Sequence, residues 1–203
     1  MINLNDYEMM FRYNPLAQII IDGDSRIVKT NPAFCKLVGY PEDLLLSLKI
    51  TDLKSRGLLK YSGDSGKTYL DAVTSKKRTF GEATIEGPSG THIIQRANVP
   101  IFDQTGLVTE IYITYHDITL QKKQRTYMLR EIGEMARRYD AMAKGDLTVR
   151  YELTRPDADE KEIHDQISLL RDAVRGIVVN LQENLRDVNK QMENLTTTAD
   201  NAN

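Results

Sequence analysis

The spacing of apolar residues changes character near residue 118 of the chain. Before that point, apolar residues form short alternating runs interrupted by glycine and proline, which is typical of strands joined by turns. After it, apolar residues recur every three or four positions almost to the end, which is the spacing of one helix face. The pattern therefore predicts an α+β half followed by an all-α half.

The first half predicts a sheet with helices packed on one face. The predicted strands are 18–21, 26–29, 79–86, 92–102 and 107–118, and the predicted helices are 33–38, 41–46 and 67–76. Because turn residues separate consecutive strands, we expect a five-stranded antiparallel sheet. Within the fourth strand, alternation predicts an inward face on which Gln95 is the one polar residue.

The second half predicts two helices whose apolar residues are spaced in steps of four and three, as in a coiled-coil seam. The seam residues are Met128, Ile132, Met135, Tyr139 and Met142 on the first helix and Ile163, Ile167, Leu170, Val174 and Ile177 on the second. Gly145 is expected to end the first helix. Alternating apolar residues over 147–153 then predict an extended, partly buried connector.

The second seam continues through the C-terminal part of the chain. Its further members are Leu181, Leu185, Val188, Met192, Leu195 and Ala199. The two consecutive steps of four after Ile177 form a stutter, which predicts a junction between two coiled-coil units. A helix over 159–199 would be about 60 Å long and would carry one narrow apolar stripe. Because one chain cannot bury that stripe alone, we expect a parallel homodimer.

Three strings of residues in the first half resemble the pattern of a sensor-domain family. They are Asn31-Pro32-Ala33-Phe34 with Gly39-Tyr40, Pro100-Ile101-Phe102-Asp103 with Gly106, and Asp117-Ile118-Thr119. On these strings, residues 14–118 resemble a PAS domain, which implies an α+β sensor fold. The resemblance also implies that Asp117, Ile118 and Thr119 form the signal junction, where a change in the sheet passes into the following helix. The alternative is that Asp117 is only a favourable charge near a helix N-terminus.

The connector and the start of the second helix carry another set of matching positions. Gly145, Leu147 and Tyr151 match a G-x-(apolar)-x-x-x-(apolar) string, and the pair Asp159-Glu160 follows it. On these residues, 128–181 resembles a HAMP domain, which implies a parallel four-helix coiled coil in a homodimer. Either Asp159 or Glu160 could take the family's acidic role, and a Glu at 162 stands where that family usually has Gly.

Composition and charge argue against several functional classes. The 203 residues carry a formal net charge of -2, so electrostatic binding of nucleic acid or anionic lipid is not expected. Purely apolar runs are far shorter than the roughly 20 residues that a membrane helix needs. The N-terminus lacks the pattern of a signal peptide, and Cys35 is the single cysteine. We therefore expect a cytoplasmic protein without a membrane span.

Catalytic, metal and cofactor chemistry is sparse in the sequence. His92, His116 and His164 match no zinc spacing and are expected at the surface, and Cys35 is expected to be a buried thiol. The glycine-containing string at 63–68 lacks the spacing and the preceding strand of a phosphate loop. We expect no metal, no haem, no photochemical flavin and no catalytic set, so the chain is predicted not to be an enzyme.

A small-molecule pocket between the sheet and its helices is the main candidate site. The expected lining residues are Phe34, Leu37, Leu53, Tyr69, Ile85, Gln95, Ile113 and Tyr115. The alternative is that these side chains fill the core and that Gln95 bonds to backbone, because an apolar lining alone does not distinguish a pocket from a core. The sequence does not identify the ligand of such a pocket.

The predicted organisation is that of a signal transducer in five segments. They are a cap helix at 1–13, a PAS sensor domain at 14–118, a linker helix at 119–127, a HAMP-like domain at 128–181 and the start of an output coiled coil at 182–203. The output expected beyond residue 203 is a methyl-accepting chemotaxis domain that controls a histidine kinase. The alternatives are the input half of a sensor histidine kinase and, in another class, a ligand-free dimerisation module.

Overall fold

The structure is a computed structural model that describes residues 4–201, with side chains described over 5–198. The first residues of the predicted cap helix, the last residues of the output segment and the side chain at the seam position Ala199 lie outside what is described. The described residues form two compact units, one up to Thr119 and one from Leu120 onward. Each unit has its own hydrophobic core.

The unit up to Thr119 is an antiparallel sheet with short helices. Its strands are β1 (Ala17–Asp22), β2 (Ile27–Thr30), β3 (Lys60–Gly66), β4 (Thr79–Gly87), β5 (Gly90–Phe102) and β6 (Val108–Asp117). Its helices are α1 (Leu4–Arg12), α2 (Pro32–Val38), α3 (Glu42–Leu46), α4 (Asp52–Ser55) and α5 (Tyr69–Ser75). Over the described residues, six strands lie in the order β2-β1-β6-β5-β4-β3, and each neighbouring pair is antiparallel.

The core of this unit contains apolar side chains from β1, β4, β5 and β6 and from α2, α3 and α4. Phe34 of α2 is fully buried, and its ring lies 5.1 Å from the ring of Tyr115 of β6, measured between centroids. Burying an apolar side chain of this size contributes roughly 1.5–3 kcal/mol. The helices are therefore held on the sheet mainly by apolar burial.

Asn31 fixes the start of α2 against β1. Its side-chain oxygen accepts hydrogen bonds from the backbone N–H groups of Phe34 and Gln18, both at 2.9 Å. Its side-chain amide donates to the carbonyl oxygen of Leu16 at 2.8 Å. Gly39 ends α2 with a φ of 77°, in the left-handed region that favours glycine. Asn31 and Gly39, the first and ninth residues of the string that resembles a PAS motif, therefore cap the two ends of α2.

The sheet has one strand more than the five that were predicted. Strand β3 pairs with β4 at the edge of the described sheet. Its residues are mostly polar and exposed, and its pairing shifts register between Ser62 and Ser65. An exposed edge strand with an irregular register has no buried face, so it shows no alternation of apolar residues that periodicity could detect.

The inward face of β5 is the opposite of the predicted face. Ile94, Arg96 and Asn98 are buried, whereas Gln95 is exposed. Successive side chains of a strand point to opposite faces, so choosing the wrong face misplaces every residue of the strand. The outer face resembles an inward face in sequence because it also carries half-buried apolar residues, which is possible since α1 contacts that side of the sheet.

The unit from Leu120 onward consists of two helices and an extended connector. Helix α6 (Thr119–Ala143) is continuous across the predicted linker and the first relay helix, and α7 (Lys161–Asn201) follows the connector. A small core is formed by Tyr127, Met135 and Ile167, with Met128, Tyr139, Tyr151, Leu153 and Ile163 packed against it. Among the described residues, no helix combines the length and the apolar character that crossing a membrane requires.

The predicted seam is only partly buried within one chain. Met135 and Ile167 are buried, and five seam residues are half-buried: Met128, Tyr139, Met142, Ile163 and Val174. Ile132 of α6 is exposed. The exposed seam residues of α7, which we call the α7 stripe, are Leu170, Ile177, Leu181, Leu185, Val188, Met192 and Leu195. One chain therefore leaves a long apolar surface open along α7.

Candidate functional site

A cavity of about 150 Å³ lies on the inner side of the sheet in the first unit. Its apolar and aromatic lining is formed by Ile50, Tyr61, Tyr69, Ile113 and Tyr115, and its polar lining by Thr51, Lys54, Asp64, Thr68, Arg96 and Asn98. Sites for drug-sized ligands usually enclose about 300–1,000 Å³. The cavity is therefore suited to a molecule smaller than a drug-sized ligand.

Arg96 places a guanidinium group in the wall of this cavity. Its side chain is 9% exposed, and its Nη2 lies 2.5 Å from Oδ1 of Asp64, whose side chain is half exposed. Its buried Nε has no hydrogen-bond partner among the described residues. Gly81, opposite Arg96 on β4, leaves the necessary room, because a Cβ there would lie 3.0 Å from Nε.

Asn98 places an unpaired acceptor in the same wall. The Thr79 hydroxyl donates to the carbonyl oxygen of Thr68 at 3.0 Å, so its oxygen is left to accept from the Asn98 amide nitrogen, also at 3.0 Å. This chain of bonds fixes the orientation of the Asn98 amide. Its buried Oδ1 finds no partner in the part of the chain that the structure describes.

Two tyrosines of the cavity wall stay uncharged over the ordinary pH range. Burial raises the pKa of Tyr61 to about 12, although the charge of Arg96 acts in the opposite direction. Burial also raises the pKa of Tyr115 well above its ordinary value. Both residues therefore offer the cavity an aromatic face and a neutral hydroxyl rather than a charge.

The end of β6 forms a compact hydrogen-bond cluster at the predicted signal junction. Oδ1 of Asp117 accepts bonds from the backbone N–H of Thr119 at 2.9 Å and from its hydroxyl, and Oδ2 lies 2.7 Å from Nδ1 of His92. The Thr119 oxygen in turn accepts from the backbone N–H of Ile93 at 2.8 Å, and the N–H of Ile118 donates to the Ile93 carbonyl. The junction is therefore tied to the neighbouring strand β5.

The charge of Asp117 is stabilised within this cluster. Partial burial by itself would raise the pKa of Asp117. The hydrogen bonds from the hydroxyl and N–H of Thr119, together with His92, outweigh that effect and hold the pKa below its ordinary value. Asp117 is thus an ionised acceptor under ordinary conditions.

Glu131 of α6 is fully buried in the second unit and holds the connector. Its carboxylate accepts hydrogen bonds from the Tyr151 hydroxyl, from the backbone N–H of Thr154 at 3.2 Å and from Nε of Arg130 at 3.0 Å. Burial opposes ionisation, but these hydrogen bonds outweigh it and hold the pKa of Glu131 below its ordinary value. A charge-assisted network therefore fixes the connector on α6.

The start of the connector is anchored to α7. Gly145 has a φ of 97°, a conformation that L side chains rarely adopt. Leu147 is half-buried, and its carbonyl oxygen accepts a hydrogen bond from Nε2 of Gln182 at 2.6 Å. Both predicted connector residues therefore lie where the chain turns back along α7.

Asp159 and Glu160 have different partners. Asp159 forms an ion pair with Lys123 of α6 at 2.7 Å, between Oδ2 and Nζ. Glu160 accepts a hydrogen bond from the backbone N–H of Asp157, whose own carboxylate accepts from the N–H of Glu160 at 3.0 Å. These reciprocal bonds have the form of a capping box just before α7.

A family model described as a PAS domain matches residues 15–120, which is more than half of the chain. The chain belongs to the PAS domain family. PAS domains are sensor domains of signal transduction proteins, and histidine kinases are among those proteins. The family model thus confirms the PAS resemblance of the first half. No curated protein matches the chain.

Solved PAS structures are also similar to this chain. The PAS domain of a protein from Colwellia psychrerythraea is 19% identical, and the match covers 57% of this chain and 97% of that one, with a TM-score of 0.46. The PAS domain of BvgS from Bordetella pertussis is 16% identical, with coverage of 66% and 97% and a TM-score of 0.44. The PAS domain of nitrogen regulation protein NR(II) from Vibrio parahaemolyticus is 15% identical, with coverage of 57% and 99% and a TM-score of 0.43.

The residues predicted to line a pocket of the PAS domain occupy three kinds of position. Tyr69, Ile113 and Tyr115 line the cavity. Those that lie in the hydrophobic core instead are Phe34, Leu37, Leu53 and Ile85. Gln95 is exposed, which corrects its prediction as the polar residue of the inner face. The polar residues of that face are Arg96 and Asn98.

Sequence reasoning missed the two residues with the most distinctive chemistry in the PAS domain. Arg96 and Asn98 lie two positions apart on β5, so they share a face. The available signal was a pair of polar side chains at that spacing inside a long run of strand residues. That signal is weak, because the opposite face of the strand is richer in apolar residues.

Two of the three histidines do not lie at the predicted surface positions. His116 is exposed as expected, but His92 and His164 are half-buried and have partners. His164 Nδ1 lies 2.6 Å from the hydroxyl of Tyr127, which is 2.7 Å from a connector carbonyl oxygen. Cys35 is half-buried rather than buried, and desolvation raises the pKa of its thiol. Over the described residues, no group of three or more His, Cys, Asp or Glu side chains is placed to hold a metal ion.

Proposed function

We propose that this chain is the input half of a homodimeric, cytoplasmic signal transducer. The PAS domain at 14–118 receives the stimulus, the helix at 119–127 carries the change, and a HAMP-like domain at 128–181 relays it. The relay is a parallel four-helix coiled coil made from α6 and α7 of two chains, and the segment from residue 182 leads toward the output. The chain itself carries no catalytic role in this proposal.

The observation that carries the proposal is the exposed α7 stripe. Leu170 is 51% exposed and Leu185 is 54% exposed, although both occupy seam positions of a heptad pattern. A contiguous apolar surface of this kind is characteristic of an interface between proteins. A second copy of the chain in parallel presents the same stripe at the same height, so two copies would cover each other's exposed residues.

Lysine substitutions at exposed seam positions test this dimer. Leu170→Lys or Leu185→Lys would place charges in the proposed interface and should give monomers in light scattering, because burying an unpaired charge is costly. Leu169→Lys is the matched control, since Leu169 is 74% exposed and lies one position off the seam. That variant should remain a dimer.

The choice of exposed positions keeps the test separate from folding. Ile167 is buried in the core of its own chain, so a charge there would disturb the helical unit whether or not a dimer forms. Leu170 and Leu185 are open within one chain, and their substitution leaves that core intact. Dimers in both seam variants would overturn the proposed helical interface.

For the output we propose a methyl-accepting chemotaxis domain that controls a histidine kinase. The segment 182–203 contains no His and is rich in Asn, Gln and Thr, as helices of chemoreceptors often are. The alternative is a sensor histidine kinase, in which a phospho-acceptor His would follow the relay closely. Sequencing the native gene downstream of residue 203 distinguishes the two outputs.

A further inference from the structure

We propose that the PAS cavity binds a small carboxylic acid that carries a hydroxyl or amino group beside its carboxylate, with Arg96 holding the carboxylate and Asn98 holding the neighbouring donor. The proposal names the chemical class of the stimulus and therefore rests on the sensor role proposed above. It depends on two buried polar atoms in one wall, on the charge balance of the lining and on the size of the cavity.

The first argument is the unfinished coordination of Arg96. Its guanidinium has several N–H donors, and Asp64 accepts from Nη2 only. Nε is buried without a partner among the described residues, and leaving such a donor unsatisfied is unfavourable. A carboxylate in the cavity would pair with the Arg96 guanidinium in a charge-assisted interaction, for which arginine is best suited.

The charge of the lining points in the same direction. The cavity wall contains two cationic side chains, Arg96 and Lys54, and one carboxylate, Asp64. Two positive charges and one negative charge leave one positive charge over, which a hydroxy acid with a net charge of -1 would balance, whereas a zwitterionic amino acid would place its carboxylate beside Arg96 without changing the sum. Tyr61 and Tyr115 of the wall add no charge, because burial raises the pKa of both hydroxyls.

The second polar atom requires a donor beside the carboxylate. Asn98 is 1% exposed, and its amide nitrogen is already bonded to Thr79, so the remaining atom in need of a partner is the acceptor Oδ1. Over the described chain, no side chain or backbone N–H donates to it. A ligand hydroxyl or ammonium group would satisfy it. Because Arg96 and Asn98 are two residues apart on one strand, the ligand's two groups must be close together.

The remaining lining sets the size and the apolar part of the ligand. Ile113, Tyr69 and Tyr115 give the cavity an aliphatic and aromatic side, and its volume is about 150 Å³. A short branched side chain fits such a space better than a ring system. Suitable probes are therefore 2-hydroxyisovalerate and valine, which combine a carboxylate, a donor on the next carbon and a branched apolar group.

The test measures binding of matched probes to the full chain by titration calorimetry and ligand-observed NMR. 2-Hydroxyisovaleramide and valinamide lack the carboxylate, and isovalerate lacks the donor. At least one of the two complete probes should bind saturably and at least about tenfold more tightly than its amide and than isovalerate, because a polar site rejects analogues that leave its groups unpaired.

Variants of the cavity wall should shift affinity in opposite directions. Arg96→Gln removes the charge and should weaken binding of the acid at least about tenfold, the usual effect of losing one charge-assisted contact. Asp64→Asn removes the carboxylate that competes for Arg96 and should strengthen it. Glu86→Gln is the matched control, since Glu86 pairs with Lys60 on the exposed strand edge and should leave the affinity unchanged.

Two results would overturn the proposal. The first is the absence of saturable binding by both complete probes up to about 10 mM, a concentration that would reveal even a weak ligand. The second is equal binding of the acids and their amides. Water bridging the two buried atoms would produce the first result, since it needs no carboxylate. Because dimerisation is measured separately by light scattering, failure of this test leaves the relay proposal standing, and failure of the relay leaves this test readable.

Discussion

The PAS domain and the helical unit bury their apolar side chains to different extents. In the PAS domain, Ile19, Ile21 and Ile113 are at most 1% exposed, and the sheet and helices of one chain are enough to cover them. On α7, Leu185 and Leu195 remain 54% and 69% exposed. The sheet unit thus completes its core alone, whereas the helical unit leaves apolar side chains of α7 exposed within one chain, as the proposed dimer requires. Stability that depends on an interface rises with protein concentration, and stability from an internal core does not.

Buried polar groups also differ between Glu131 of the helical unit and the cavity wall of the PAS domain. In the helical unit, the carboxylate of Glu131 accepts three hydrogen bonds and serves to fix the connector. In the PAS domain, Arg96 and Asn98 each keep one buried atom unpaired among the described residues, as do Gln18 of β1 and, in the helical unit, Tyr139. A satisfied network gives rigidity, while an unsatisfied pair beside a cavity indicates a place for a ligand. Glu131 therefore has a structural role, whereas Arg96 and Asn98 carry the ligand site that we propose.

The largest expected effect comes from the internal core of the PAS domain. Phe34→Ala should lower the free energy of unfolding of that domain by about 3–5 kcal/mol, because it leaves a cavity where a fully buried ring packs against Tyr115. Phe80→Ala is the matched control, since Phe80 is 52% exposed, and it should change stability far less. Urea unfolding followed by tyrosine fluorescence measures both.

Protein concentration is the second variable in this experiment. The loss caused by Phe34→Ala should be the same at low and high concentration, because the core of the PAS domain lies within one chain. A loss that disappears at high concentration would contradict the division between an internal core and a shared one. Equal effects of Phe34→Ala and Phe80→Ala would contradict the assignment of the core itself.

Much of the PAS fold could be predicted from local sequence signals. Asn31 and Gly39 mark the two ends of α2, and both act through bonds to neighbouring backbone. The edge strand β3 could not be predicted, because its exposed polar residues follow the pattern of a loop. The polar residues Arg96 and Asn98 were missed for another reason: both faces of β5 carry apolar side chains, so the alternation does not show which face points inward.

The helical unit was predictable in its period but not in its polar contacts. Heptad spacing identified Met135 and Ile167, which are buried. It could not identify Glu131, because a charged residue on a helix is normally exposed and its partners, Tyr151 and Thr154, lie in the connector about twenty residues later. Contacts between segments distant in sequence depend on the path of the connector, which periodicity does not describe.

An intermediate effect is expected from the polar network of the helical unit. Glu131→Ala should lower the free energy of unfolding of that unit by about 1.5–3 kcal/mol, since it removes a charged acceptor from Tyr151 and Thr154. Glu134→Ala removes a surface carboxylate that pairs with Arg137 and should cost less than about 1 kcal/mol. Circular dichroism during urea unfolding measures the difference.

Acidification should reproduce part of the Glu131 effect. The pKa of Glu131 is lower in the folded chain than its ordinary value of 4.5, so its ionised form stabilises the fold. That contribution is complete above the unfolded pKa and is lost as pH falls through the folded pKa. The wild-type chain should therefore lose stability in acid more steeply than Glu131→Gln. Parallel acid profiles of the two proteins would contradict a role for the Glu131 charge.

The smallest expected effect is at the predicted signal junction. A comparison of two aspartates distinguishes the contribution of a local turn from that of a bond to the neighbouring strand. Asp103 and Asp117 each accept bonds from the N–H and hydroxyl of a threonine two residues later, Thr105 and Thr119. Only Asp117 of this pair also bonds to a side chain of β5, that of His92. The two aspartates therefore form the same turn, and they differ in the connection to a second strand.

Asp117→Asn should weaken the junction by about 1 kcal/mol, which corresponds to roughly fivefold faster hydrogen exchange at the amides of Thr119 and Ile93. The reason is that a neutral amide replaces a charged acceptor that holds Thr119, and Thr119 in turn accepts from the N–H of Ile93. Asp103→Asn should leave exchange at both amides unchanged. The pKa of Asp117 lies below its ordinary 3.8, so its contribution is present above that pH and is lost as pH falls. After correction for intrinsic exchange rates, protection at Thr119 should therefore fall in acid in the wild-type chain and stay level in Asp117→Asn. Unchanged protection in Asp117→Asn at neutral pH would show that the connection to β5 does not depend on this carboxylate.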